Sequence, residues 1–528
     1  MPKVTIDGKE LDAPEGINVI QAAEMLGMEI PHYCYHPALT VPGNCRMCLV
    51  EIEKAPKLQI ACNTRVTDGM VVHTKSAKAK AAHQAVLEFL LINHPIDCPV
   101  CDQAGECKLQ DYYMDYDREP SRFPLGKKVK KGKAIDIGCD VMLDQERCVL
   151  CARCTRFLDE VTHTSELAIF ERGDHNRIDI YPGRNLNNKY AGNIIDICPV
   201  GALTEKDFRF RMRVWYLHRT PSVCAGCERG CSIDIYQNHG KIFRYKPRHN
   251  PQVNGYWMCD EGRHSFTQLQ TESRITKPLH QSGEHLLPEG FAGAIRRAAD
   301  AIRKCGETNG AGAIGALVGA HATNEEIFAL KSFMNDVIGS DLIGGMSYTP
   351  PGCSGDDELL LRANKNPNTR GLTAQGIPLD GLDRLGQAVT SGQLKMLIVL
   401  RADACRALGE AEFVKRFGAL DYMLVLDTDA CETVQMANQV IPIAAFPELE
   451  GTFTNFQGVV QRLYRAFDPP GEAKPATEAL TDLAMVLDGV ERPQTAERIF
   501  AEIAAREPAF AGLEFDKLGH NGMKLAGA

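Results

Sequence analysis

Fifteen of the twenty cysteines in this 528-residue chain, together with one histidine, sit in four groups of four, each with the spacing of an iron-sulfur cluster site. A chain that must bring four ligands together, four times over, has little freedom in where its loops run. The first group, Cys34, Cys45, Cys48 and Cys62, is a Cys-x2-Cys pair flanked by one cysteine on either side. It suits a 2Fe-2S cluster, although its first gap is longer than the plant-type one. Upstream, Val4, Thr5 and Ile6, then Asp7-Gly8, then Glu10 and Leu11 read as a hairpin, with Asp-Gly supplying the positive dihedral angles of a tight turn. A helix over about residues 17–26 follows. Hairpin, helix and cysteine loop is the order of a β-grasp ferredoxin.

The second group is His94, Cys98, Cys101 and Cys107. Ala82, Val86, Phe89 and Leu90 recur at helical spacing before it, and Pro95 should stop that helix at His94. Three thiolates and an imidazole suit a 4Fe-4S cluster; a Cys3His zinc site is the alternative. The third group, Cys148, Cys151 and Cys154 with the distant Cys198-Pro199, has the bacterial 4Fe-4S ferredoxin pattern. Arg147, Arg153 and Arg156 lie among these ligands, where positive charge favours thiolate ligation, or they pair with surface acids. The fourth group is Cys224, Cys227, Cys231 and Cys259, again either a 4Fe-4S site or a zinc site. Cys139, Cys305, Cys353, Cys405 and Cys431 remain, and most are expected to be core thiols.

Composition excludes several classes. The net charge of −9 argues against nucleic-acid binding, and the most basic stretch, residues 127–133, reads as a solvated connection or partner-facing loop. No apolar run of about eighteen residues could span a bilayer, and the N-terminus reads as neither signal nor transit peptide. The expectation is a reduced, soluble, intracellular chain that reaches a membrane only through partners. Several one-electron centres are implied, with no complete substrate active site.

His32-Tyr33-Cys34-Tyr35-His36-Pro37, Cys45-Arg46-Met47-Cys48-Leu49-Val50-Glu51, His94-Pro95 with Cys98-Pro99 and Cys101, and Arg147-Cys148 through Arg153-Cys154-Thr155-Arg156 resemble the large iron-sulfur subunit family of NADH:quinone oxidoreductase, respiratory complex I. The likeness is close over the first 270 residues. It continues less densely through Ala322-Thr323-Asn324-Glu325-Glu326 and Gly451-Thr452-Phe453-Thr454-Asn455. The fourth motif points to a bacterial type.

The resemblance implies a middle section of an electron wire. Electrons would come from a flavin- and NADH-binding subunit and leave through a ferredoxin-like subunit toward quinone, with other hydrophilic subunits of complex I as neighbours. The implied cofactors are one 2Fe-2S and three 4Fe-4S clusters, without molybdopterin. The first three groups would lie on the route and the fourth off it. Proton translocation would belong to the whole complex, and the chain would be peripheral on the cytoplasmic side of the bacterial inner membrane.

From about Thr276 helical stretches alternate with short apolar runs at residues 313–318, 396–400 and 422–426, which suggests an α/β domain with a largely parallel sheet. Thr323 and Glu326 form a capping box, and Ile327, Leu330, Met334, Val337 and Ile338 share one helical face. By resemblance this is a shortened molybdopterin-oxidoreductase-like domain serving as a scaffold. Gly310-x-Gly312-x-x-Gly315 fits a dinucleotide fingerprint, but it follows a helix and leads into a strand, the reverse of what that site needs. Cys353 sits where a molybdenum ligand would in a formate dehydrogenase, yet Glu261 stands where those enzymes carry a lysine or arginine.

The expected fold class is therefore α+β multidomain. A 2Fe-2S domain spans 1–78, a His(Cys)3 4Fe-4S segment 79–118, a 4Fe-4S ferredoxin-like domain 119–216, a 4Fe-4S domain of the molybdenum-enzyme type 217–273, and the α/β domain 274–528. Two other functions stay open: the catalytic subunit of a cytoplasmic molybdenum formate dehydrogenase, and the electron-transfer subunit of an NAD-linked hydrogenase.

Overall fold

The computed structural model describes residues 1–116 and 121–527, without the side chain of Leu125. The expected boundary between 118 and 119 lies outside the described residues. Two units, Met1–Leu217 and His218–Ala528, each hold together internally.

The first unit opens with the hairpin. Strands Lys3–Ile6 and Lys9–Asp12 pair antiparallel across Asp7 and Gly8, both at positive φ (46° and 83°). The helix Val19–Met25 starts at Asn18, whose side chain accepts from the Gln21 N–H while the Gln21 side chain accepts from Asn18 N–H. Met70–His73 joins Lys3–Ile6 in parallel, and Leu49–Ile52 and Gln59–Ile60 complete a five-stranded sheet in the β-grasp order. The next helix, Ala77–Leu91, ends three residues before His94 rather than at it. Its buried stripe is Ala79, His83 and Leu87; Val86 and Leu90 beside it pack partly buried against the same core, and Phe89 alone of the expected face is exposed, at 75%. His83 is tolerated inside because its Nε2 meets the Leu49 carbonyl.

Within residues 127–133, Lys127, Val129, Lys130 and Lys133 are exposed, as a solvated connection should be, and two lysines anchor the stretch. The Lys128 ammonium donates to the carbonyls of Leu91 and His94, and Lys133 pairs with Asp97 and Glu146. The backbone freed after the helix thus finds donors on a basic segment thirty-odd residues away.

In the second unit, three antiparallel strands, His218–Val223, Ser232–Asn238 and Lys241–Pro247, precede a seven-stranded sheet. Five strands of that sheet, Ile343–Met346, Ile314–Gly319, Met396–Leu400, Tyr422–Asp427 and Gln439–Pro442, run parallel in this spatial order, and the hairpin Leu279–Ser282 with His285–Pro288 adds an antiparallel edge. Alternate strand residues enter two cores. Val318, Ile398 and Leu424 pack with helices Phe291–Asn309 and Ala476–Asp488 on one face, and Leu317, Val399 and Val425 with helices Gly381–Thr390 and Glu410–Phe417 on the other. A strand buried on both faces reads as a continuous apolar run, which is why these segments were visible in the sequence.

The two motifs at 322–326 and 451–455 meet. Thr323 caps the helix Asn324–Ser332, with Glu326 reciprocating. Asn324 donates to the hydroxyls of Thr452 and Thr454 (2.9 Å each), and Glu325 accepts from the Thr452 N–H and hydroxyl. Gly451 is required there, because a Cβ would lie 2.9 Å from the Glu325 carboxylate. Gly310 caps the helix Phe291–Asn309 with φ 85°, a C-terminal role unrelated to phosphate binding.

Candidate metal centres

In the first group the loop carrying Cys45 and Cys48 turns through Gly43 and Arg46, both at positive φ, before entering the strand Leu49–Ile52. Cys62 follows Gln59–Ile60, whose pairing with Leu49–Ile52 carries the Ala61 N–H to Cys48 carbonyl bond at 2.9 Å. The Cys34 thiol contacts those of Cys45 and Cys62, and Cys48 contacts Cys62. All but the half-buried Cys45 are buried. Backbone N–H groups of Asn44 and Cys45 point at the Cys34 sulfur, the arrangement a thiolate needs.

His94, Cys98, Cys101 and Cys107 line one cavity of about 220 Å³ with Leu91, Ile96, Ala104, Leu109 and Met114. Cys98 and Cys101 are joined by a turn of 3-10 helix, and Cys107 precedes the helix Lys108–Tyr116. Burial, with Arg147 and Lys128 nearby, pushes the His94 imidazole down to about 4, so it is a neutral donor at physiological pH. Arg147 is buried and pairs with Asp97 at 2.9 Å and Asp144 at 3.1 Å. Gly201, from the segment after Cys198, closes the site: a Cβ there would collide with the Cys101 sulfur.

The third group is wound by alternating backbone. Leu150 and Ala152 both take positive φ (51° and 57°), so Cys148, Cys151 and Cys154 face one side, with Cys154 in the first turn of the helix Arg153–Glu160. With Cys198 they line a cavity walled by Leu143, Val149, Ile178, Val200 and Leu203. Burial pushes Cys148 up to about 12 and Cys151 to about 11, so ionisation of these thiols needs compensating positive charge, which a bound metal would supply. The arginines do not pair with surface acids alone. Arg153 donates to the carbonyls of Tyr35 and Ile197, and Arg156 to those of Cys34 and Thr40, tying this helix to the first group's loop.

Three groups meet in one apolar cluster. It contains Tyr33, Met47, Leu87, Leu109, Tyr112, Val200 and Ala202, together with Cys34, Cys45, Cys107, Cys148, Cys151 and Cys198. No spacing rule reveals this, because it depends on the tertiary path of four separated segments.

The fourth group lies in the second unit. Cys224 follows the strand His218–Val223, Cys231 precedes Ser232–Asn238, and Cys259 caps the short helix Asp260–Arg263. The four thiols share a cavity with Gly226, Gly262, Leu360, Leu361, Glu261 and Lys365. Gly226 donates its N–H to the Cys224 sulfur at 3.4 Å and Gly262 to the Cys259 sulfur at 3.3 Å, and a Cβ at Gly262 would approach Cys224 to 3.0 Å. All-cysteine donors, N–H groups aimed at sulfur and glycines where a side chain would intrude fit a cluster. Among the described residues, no group of three or more His, Cys, Asp or Glu side chains is arranged around a single metal ion.

Of the other cysteines, Cys405 is buried, and Cys305 and Cys431 are half-buried and packed against the cores of the large sheet, so three of the five are core thiols as expected; Cys139 and Cys353 are exposed. A crevice of about 340 Å³ lies beyond the carboxyl ends of the parallel strands, lined by His321, Asn366, Arg401, Asp403, Asp427 and Cys431. Arg401 is committed to Glu326 and the Ala444 carbonyl.

Comparison with known proteins follows this layout. Family models match in chain order: a 2Fe-2S iron-sulfur cluster binding domain at 2–77, an NADH-ubiquinone oxidoreductase-G iron-sulfur binding region at 84–122, a ferredoxin-like domain of NADH-quinone oxidoreductase subunit 3 at 138–204, a molybdopterin oxidoreductase Fe4S4 domain at 217–270, and molybdopterin oxidoreductase at 363–486. The NADH-quinone oxidoreductase G subunit of Streptomyces coelicolor is 43% identical over 333 residues, 62% of this chain and 39% of that protein. The Rickettsia felis protein of the same name is 33% identical over 461 residues, covering 81% of this chain and 66% of its own. The mitochondrial NADH-ubiquinone oxidoreductase 78 kDa subunit of Candida albicans is 41% identical over 335 residues, 63% of this chain and 46% of that one. The chain spans between about two fifths and one half of most of these relatives.

Proposed function

This chain belongs to the family of NADH-quinone oxidoreductase G subunits, and from that premise we propose that it is the electron-relay subunit of such a complex, carrying electrons from a flavin- and NADH-binding subunit toward a ferredoxin-like subunit and quinone. In this reading Cys34, Cys45, Cys48 and Cys62 hold a 2Fe-2S cluster. Three 4Fe-4S clusters sit on His94, Cys98, Cys101 and Cys107; on Cys148, Cys151, Cys154 and Cys198; and on Cys224, Cys227, Cys231 and Cys259. The clusters supply one-electron redox chemistry. The chain's residues hold them in low-dielectric surroundings, neutralise them with N–H groups and the Arg147, Arg153 and Arg156 guanidiniums, and exclude water with the apolar walls. No described helix is long and apolar enough to cross a membrane; in this reading the subunit is peripheral, on the cytoplasmic side, and attached through partners.

The observation that carries this reading is the single apolar cluster joining thiols of the first three groups. Groups packed in one core, rather than on separate surfaces, provide a short passage for electrons through protein. The test is metal analysis of the anaerobically purified chain. About 14 iron atoms per chain, from one two-iron and three four-iron clusters, are expected. Stoichiometric zinc in place of a cluster would remove that group from the relay, and molybdenum with formate-dependent dye reduction would favour a formate dehydrogenase instead.

A further inference from the structure

The cavity of the fourth group contains a charge that its ligand set does not require. Lys365 is only 7% exposed and lines the same cavity as the four thiols. Its ammonium lies 2.9 Å from a Glu261 carboxylate oxygen, yet makes no hydrogen bond of good geometry. Glu261 is itself partly exposed, with 39% of its side chain accessible. A buried ammonium with three N–H groups and one imperfect partner is unfavourable unless further negative charge faces it.

Its position is held from several sides. The Lys365 N–H donates to the Thr349 hydroxyl at 3.1 Å, and its neighbour Asn364 donates to Glu228 at 3.0 Å and to Thr369 at 2.9 Å. Glu228, within the loop between Cys227 and Cys231, also accepts from Arg362 and returns its own N–H to the Asn364 carbonyl. The loop bearing two ligands and the segment bearing the lysine are therefore bound to each other, which holds the lysine in the wall of the thiol cavity. Lys365 and Glu261 thus bring opposite charges to the cavity that the four thiols share.

We infer that Lys365 is the electrostatic tuner of the fourth centre, a fixed cation that favours its reduced state, with Glu261 pulling in the opposite direction. The inference rests on the proposed 4Fe-4S occupancy of this group. Reduction adds one electron from a one-electron donor and forms or breaks no bond, so the space between the thiols becomes one unit more negative. An ammonium in a water-poor cavity stabilises that added charge far more than it would in water. A partly exposed carboxylate beside it weakens the effect without cancelling it.

The experiment is a mediated redox titration of the full chain, with dithionite as reductant and ferricyanide as oxidant, read by electron paramagnetic resonance. The fourth signal is identified as the one lost in Cys227→Ser. In Lys365→Gln the reduced-to-oxidised ratio at the parent's midpoint should fall about tenfold, equivalent to about 59 mV for a one-electron couple. Lys365→Arg should restore the parent ratio to within about twofold, and Glu261→Gln should move it the opposite way. Unchanged ratios in Lys365→Gln and Glu261→Gln, with iron content retained, would overturn the inference. If Lys365→Gln loses the cluster, Glu261→Gln decides: an upward shift supports the inference and no shift overturns it. A parent chain holding zinc at this group would instead defeat the underlying assignment, and the inference with it.

Discussion

In the first unit, thiols from three groups share one apolar cluster, and the connecting segments exchange hydrogen bonds directly, as Arg156 does with the Cys34 carbonyl and Asn44 with that of Leu150. In the second unit, the one ligand group sits beside a three-stranded sheet, and the large cores of the seven-stranded sheet are built from aliphatic side chains above and below it. The same ligand chemistry thus joins three groups through one core in the first unit and forms a single buried group in the second. Ligand loss should accordingly propagate to neighbouring groups in the first unit and stay local in the second.

The largest expected effect breaks the shared interior. Gly201→Ala places a methyl group against the Cys101 sulfur and should remove the second cluster's signal; overpacking of this kind costs about 1–3 kcal/mol before the lost metal is counted. Iron content and spectra check it, and a full complement of clusters would show that the cradle yields. Leu400→Ala, in the core of the parallel sheet, should destabilise the second unit by about 2–5 kcal/mol while leaving the first unit's spectra unmoved. Denaturant unfolding followed by circular dichroism and by cluster absorbance separates the two responses.

A smaller effect depends on pH. Burial pushes the Glu325 carboxyl up from its ordinary 4.5 to about 7, and its partners are Thr hydroxyls and N–H groups rather than a cation. Because the folded value is raised, the associated stability is fully present below pH 4.5 and is lost as pH rises toward 7, a change of about 3 kcal/mol. Glu325→Gln, which mimics the protonated form, should flatten this part of the stability profile and be more stable than the parent near pH 8. The smallest effect is at the helix start: Thr323→Ala removes the cap and should cost about 1 kcal/mol, read as a shift in the unfolding midpoint.

Much of this architecture was legible in the chain because short-range chemistry determined it. Asp7-Gly8 demands a tight turn, Thr323 and Glu326 cap one another, and strands buried on both faces cannot hide their apolar runs. The candidate ligands announced themselves by loop spacing. What stayed hidden depends on contacts between remote segments. Gly201 is recognisable as part of the second group only once it lies against Cys101, and Lys365 reaches the fourth group through a segment more than one hundred residues beyond Cys259. Phe89 misled because helical spacing placed it with Val86 and Leu90, which do pack inward, although it lies at the exposed edge of that stripe; the buried centre also takes His83, satisfied by a backbone carbonyl. Residues 127–133 keep the exposure their lysines suggest, but nothing in the spacing shows that the Lys128 ammonium satisfies carbonyls at the end of a helix.

The contrast between the units is tested most directly by comparing Cys148→Ser and Cys227→Ser in the assembled complex, measuring NADH-to-quinone electron transfer per complex. Cys148→Ser should abolish transfer, because its thiol belongs to the shared core of the proposed relay, whereas Cys227→Ser should keep the rate within about twofold and lower only stability or assembly. An unchanged rate in Cys148→Ser, or equal abolition by both substitutions, would contradict the account.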